Sequence, residues 1–183
     1  MPKMIFEIAL GALLTYIIYL YLTREIIKEK DGEAYLIRYF LWKPKKGDKY
    51  YLHHIVRSDH DRSEHCHPFN FTSFILWGGY YEIADNQQED LHRLYDAINP
   101  RKAYIGLKPE WKPYNNEEVI RWFGPFSILH RKAAWRHRLL LKNDRSAWTI
   151  VKRSPKLREW GFYPNWEFCH NTKYDTKTGL CND

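Results

Sequence analysis

Apolar residues along the 183-residue chain fall in two rhythms. Residues 4–23, MIFEIALGALLTYIIYLYLT, are apolar nearly throughout, with Glu7 as the one charge. A helix of about 20 residues rises about 30 Å, the depth of a bilayer core, so this run predicts a transmembrane helix. Its apolar side chains surround the helix instead of marking one stripe, which disfavours an amphipathic surface helix. Tyrosines at 16, 19 and 21 gather toward one end, as an interfacial aromatic belt would. Thr23 leads straight into REIIKEK without the small-residue cleavage site of a signal peptide.

The second rhythm consists of short β-branched and aromatic runs. AYLIRYFLW (34–42) and KYYLHHIVR (49–57) read as strands parted by the turn-rich KPKKGD. FNFTSFILW (69–77) is a third, ended by Gly78 and Gly79, and YYEI continues beyond the turn. Residues 84–118 are polar and proline-bearing, with one short helical pattern from Glu89 to Ile98, and predict an insertion that covers the domain as a lid flanked by Trp111 and Trp122. Strand patterns resume in VIRWFGPFSILHR, WRHRLLLK, SAWTIVKR and KLREWGFYP. The expected organisation is a helix at 4–23, a juxtamembrane linker at 24–32, an all-β barrel or sandwich at 33–165 and a polar tail at 166–183.

Composition sharpens this picture in three ways. Aromatics make up 17% of the chain, including eight Trp and fourteen Tyr, which suits a strand-built core or pocket. The net charge of +7 and pI near 9.2 come from scattered residues without a long Lys/Arg run, so nucleic acid is not an expected partner. Three cysteines, Cys66, Cys169 and Cys181, form no CxxC pair and leave one over from any bridge, which points to a reducing compartment. Lys3 alone precedes the apolar run, whereas Arg24, Lys28, Lys30, Arg38 and Lys43 follow it, so a single-pass protein with its barrel facing the cytoplasm is expected. The sequon at Asn70 lies in a strand pattern and is expected to be silent.

The chemistry concentrates in SDHDRSEHCHPFNF. In an extended chain His65 and His67 project to one face and Cys66 to the other, where it reads as a small buried residue. His137, in the strand-like WRHRLLL, is the candidate third ligand. Three neutral imidazoles suit Fe(II), Zn or similar metals better than Mg or Ca. His53, His54, His60 and His130 read as ordinary strand or surface histidines, and Trp166 with REWGF as core and rim aromatics. Strand parity from His67 places Phe69, Phe71, Ser73, Ile75 and Trp77 inward.

His65, His67, Phe71 and Gly78 reproduce the spacing of the first cupin motif, and PFSILHRKAAWRHRL resembles the second, with His137 at its histidine ligand. The H-x-H-P, G-G-Y-x-E and W-G-F elements are also similar to those of a group of bacterial and phage cupin-like proteins, over about 130 residues. The resemblance implies a double-stranded β-helix, or jelly-roll, barrel with one metal held by His65, His67 and His137. The usual glutamate ligand falls on Phe71, and neither Glu64 nor Glu82 has the spacing to replace it. The glycine of the second motif's turn falls on Phe126, two residues after Gly124. Three histidines without the glutamate are similar to the site of cupin thiol dioxygenases, which implies Fe(II) before Zn and an oxidoreductase acting on a small molecule. The alternative is a non-catalytic cupin that serves as an accessory subunit of a membrane complex, its helix among lipids and its barrel a docking surface.

Overall fold

The computed structural model describes residues 2–28, 32–59, 63–86, 112–175 and 177–182. Helix α1 covers Pro2–Leu22, and none of its apolar window from Lys3 to Leu22, of mean hydropathy 1.9, is buried against the rest of the chain. By length and composition it can cross a membrane, a property that an N-terminal leader shares. The Tyr16 hydroxyl donates to the Leu41 carbonyl, which ties the helix to the barrel's first long strand.

Fourteen described strands follow. Strands β1 (Glu25–Lys28), β2 (Ala34–Trp42), β3 (Lys49–Ile55), β10 (Ala147–Arg153), β4 (Phe71–Trp77) and β8 (Ile128–Arg131) form one sheet in the order β1-β2-β3-β10-β4-β8. Strands β6 (Lys112–Pro113), β7 (Glu118–Phe123), β5 (Tyr80–Asp85) and β9 (Arg138–Leu141) form the other, in the order β6-β7-β5-β9. The strand pairs are antiparallel. Chain neighbours repeatedly lie in opposite sheets, so the two sheets close on a shared interior as in a jelly roll. Leu36, Ile55, Ile75 and Leu129 from the first sheet meet Tyr80, Phe123, Leu139 and Leu141 from the second in one buried cluster. This is the arrangement that alternating patterns on both sheets require.

Several expectations need correction. The linker at 24–32 contains β1, whose Ile27 packs on the core because it pairs with Leu36 in β2. The single predicted segment VIRWFGPFSILHR divides into β7 and β8, in different sheets, at a turn where Phe126 has φ of 66°. Parity along β4 holds through Ser73 and Ile75 but fails at Trp77, which is exposed. The pairing with β10 skips a residue between Trp148 and Thr149 there, and Gly78, at φ 72°, turns the chain against Ser146 so closely that a Cβ would lie 2.4 Å from its carbonyl oxygen.

The tail is not merely polar. Strands β11 (Gly161–Phe162) and β12 (Cys169–His170) pair, as do β13 (Tyr174–Asp175) and β14 (Leu180–Cys181), and Phe162, Cys169 and Tyr174 form their own small core. These hairpins bring Cys169 and Cys181 into a disulfide, which runs against the expected reducing compartment; Cys66 is the one left over, free and buried. Residues 87–111, which hold most of the predicted lid with Trp111 and the helical pattern from Glu89, lie outside the described residues, as does His60.

Candidate metal centre

The stretch from His65 to His67 is extended because its backbone is bonded on two sides. His65 exchanges both backbone hydrogen bonds with His137, at 2.9 and 3.0 Å, Cys66 N–H donates to the Gly161 carbonyl, and His67 N–H to that of Ala133. The imidazoles of His65 and His67 therefore share a face, and the pairing with His137 sets the third ring beside them. Ring centroids stand 5.0, 5.1 and 5.0 Å apart, nearly an equilateral triangle. Cys66, pointing away, is fully buried, as its parity requires. Sequence reasoning thus brought together the same three residues that the fold does.

The donor set fits a metal ion. One ligand atom from each of His65, His67 and His137 lies within 4.8 Å of the others. The Nε2 atoms of His67 and His137 are 2.8 Å apart, so the two ring nitrogens converge on one point, as holding a single ion would require. Nδ1 of His65 is buried with no hydrogen-bond partner among the described residues. Burial lowers the His65 imidazole to about 4, with Asp59 opposing and His137 assisting, and burial with the two neighbouring rings lowers His67 well below its ordinary value. Both are neutral at physiological pH, as ligation demands.

Behind His137 stands a group that the sequence did not reveal. Nδ1 of His137 bonds Glu82 Oε1 at 2.6 Å, which holds the ring's proton on the far side and leaves the Nε2 lone pair facing the other histidines. Glu82 is completely buried and also accepts from Trp135 Nε1 at 2.8 Å and from Arg131 Nε at 2.9 Å, with Arg131 Nη2 on its other oxygen. Burial alone would raise the Glu82 carboxyl; the Arg131 guanidinium and the hydrogen bonds from Arg131 and His137 hold it far below the usual carboxylate range. The available signal was a glutamate inside the otherwise apolar YYEIA, a position that demands a buried partner.

Phe71 occupies the place implied for a carboxylate ligand: its ring centroid lies 4.8 Å from that of His67 and 6.1 Å from that of His137. The histidines open onto a cavity of about 410 Å³ walled by Leu36, Ile55, Phe69, Phe71, Tyr80, Val151 and Trp160. Of the additional histidines, His53 also lines this cavity, where burial and then Arg38 lower it to about 3. It accepts from Arg38 Nε at 3.1 Å, so its reading as an ordinary strand residue is corrected. His54 stacks on Trp148 and His130 bonds Thr72, away from the cavity. The Asn70 side chain accepts from Ala133 N–H at 2.8 Å, an internal task that fits a silent sequon.

No family model matches the chain, and no curated protein matches it. Among solved structures it is similar to Fe(II)-HppE with the alternative substrate (S)-1-HPP, at 14% identity and TM-score 0.45, covering 72% of this chain and 56% of that one. An RmlC-like cupin from Shewanella frigidimarina matches at 12% identity and TM-score 0.41, over 73% of this chain and 85% of that one. A double-stranded β-helix protein from Klebsiella pneumoniae subsp. pneumoniae matches at 11% identity and TM-score 0.43, over 75% and 90%. At such identities the likeness is one of fold. The two-sheeted jelly-roll arrangement of this chain stands on its own strand order.

Proposed function

We propose that the chain is a membrane-anchored cupin-like enzyme that uses one transition metal ion, Fe(II) before Zn, to act on a small molecule. The observation that carries this reading is the convergence of His65, His67 and His137 in the wall of a largely apolar cavity, with Glu82 behind His137. When bound, the metal supplies Lewis acidity and, as iron, access to dioxygen chemistry. The residues do the rest: Glu82 keeps His137 in its ligating tautomer, and Phe71 leaves a coordination position without a protein ligand. Phe69 and Val151 help exclude water from that side.

Helix α1 is the anchor. The charges after it favour a cytoplasmic barrel, but the Cys169–Cys181 bridge belongs to an oxidising compartment. We give the bridge more weight than the charges, and it supports a barrel outside the reducing cytoplasm.

The test is oxygen uptake by Fe(II)-loaded, detergent-purified full chain across small-molecule pools, beside a His65→Ala/His67→Ala variant. Substrate-dependent uptake lost in the variant supports the enzyme. Absence of turnover in metal-loaded protein that co-purifies with stoichiometric membrane partners would replace it with the accessory-subunit reading.

A further inference from the structure

A second pocket, of about 400 Å³, lies on the other face of the stretch that carries the ligands. Side chains alternate along an extended chain, so Glu64, next to His65, leaves the histidine cavity and enters this pocket. Its walls include Ser63, Glu64, Glu117, Glu118 and Trp166, with Thr178 at the rim; no lysine or arginine lines it among the described residues.

The carboxylates there are in unequal states. Glu118 accepts from Arg138 and from Asn115 Nδ2 at 2.6 Å, and Glu117 accepts from Trp166 Nε1 at 3.1 Å. Glu64 is only 3% exposed, and neither of its oxygens has a hydrogen-bond partner among the described residues. The two arginines nearby are committed elsewhere, Arg136 to Asp85 and Arg138 to Glu118. A buried carboxyl with both oxygens unmet recovers its lost hydration only when a donor comes to it from outside.

We propose that this pocket binds a small organic cation, an ammonium or guanidinium compound whose N–H groups satisfy Glu64. The volume suits a small molecule. A bare metal ion fits less well, because among the described residues the histidine triplet alone brings three ligand atoms to metal-holding distances. Trp166, 40% exposed, offers an aromatic wall to a cation, whereas the Tyr163 ring is already covered by Arg136. The rim at Thr178 lies in the loop between Cys169 and Cys181, so the disulfide holds that wall in place. The inference does not depend on the reading of the histidine site.

The experiment is calorimetric titration of the detergent-solubilised full chain, metal-free, with agmatine, propylammonium and tetramethylammonium, and with Ca²⁺ as the competing class. Binding of agmatine or propylammonium, weakened at least tenfold in Glu64→Gln and in the pocket-filling rim variant Thr178→Trp, is the expected result. The rim variant alters an exposed residue and keeps the test valid should Glu64→Gln misfold. Absence of binding by agmatine and propylammonium, binding of tetramethylammonium alone, binding unchanged in both variants, or binding of Ca²⁺ alone would overturn the proposal.

Discussion

Glu64 and Glu82 are two glutamates buried to almost the same degree, 3% and 0% exposed, on opposite sides of the histidine stretch. Glu82 is surrounded by donors from Arg131, Trp135 and His137, and its charge is held. Glu64 has no hydrogen-bond partner among the described residues; burial, followed by repulsion from Asp85 and Glu118, pushes it up to about 9. Burial alone therefore says little about what a carboxylate does; the direction from which donors arrive decides it. One carboxylate orients His137, and the other is left without a donor among the described residues.

Removing Glu82 should have the largest effect. Glu82→Ala strands the buried Arg131 guanidinium and should cost about 3–5 kcal/mol, read as a fall in the denaturation midpoint. Glu82→Gln, where it folds, should lower metal affinity about 10–100-fold in chelator competition. Glu64→Gln breaks no interaction and, at mildly acidic pH, should change stability by less than about 1 kcal/mol. Equal losses from both Gln variants would dissolve the contrast between the two sites.

The two faces should also titrate in opposite senses. In the metal-free protein the folded imidazoles of His65 and His53 protonate only near 4 and 3, against 6.5 when free. The unfolded chain then binds more protons between these values, so their contribution to stability is full above about 6.5 and is lost as pH falls toward 4 and 3. Glu64 behaves in reverse: folded near 9 and free near 4.5, its contribution is full below about 4.5 and is lost as pH rises through 9. Stability measured by urea denaturation should thus decline on both sides of mildly acidic pH. Glu64→Gln should flatten the alkaline limb alone; an unchanged alkaline limb would count against the burial of an unpartnered carboxyl.

A smaller effect concerns the wall that the second pocket has and the histidine cavity lacks. Reducing the Cys169–Cys181 bridge should cost about 2–3 kcal/mol of resistance to denaturation, without displacing the histidines. Alkylation of unreduced membranes should find Cys169 and Cys181 protected, and free thiols there would return the barrel to the cytoplasm. A small effect is also expected at the turn between β7 and β8. Phe126 holds a left-handed conformation at the position where the resemblance implied glycine, so Phe126→Gly should stabilise the fold by up to about 1 kcal/mol in thermal melts.

What could be read from the sequence follows a physical line. The alternation of His65, Cys66 and His67 was legible because strand parity needs no knowledge of neighbours, and β2 begins and ends where its apolar run does. That Phe71 stands where a carboxylate ligand would be expected was implied only by the resemblance to the first cupin motif. Glu82 and Arg131, 49 residues apart, were not legible as a pair, because their meeting depends on how the two sheets face each other. The parity rule failed at Trp77 because the residue skipped in the β4–β10 register is a property of the pairing and not of the strand. The disulfide escaped because a spacing of 12 residues between cysteines says nothing about the hairpins that bring them together.

The central claim is that three histidines on one face of this barrel hold a metal. Elemental analysis of detergent-purified full chain, reconstituted under anaerobic conditions, measures it most directly beside a folded His65→Ala/His67→Ala variant. The account predicts one transition metal ion per wild-type chain and none in the variant. A well-folded wild type that retains no metal after reconstitution would contradict it.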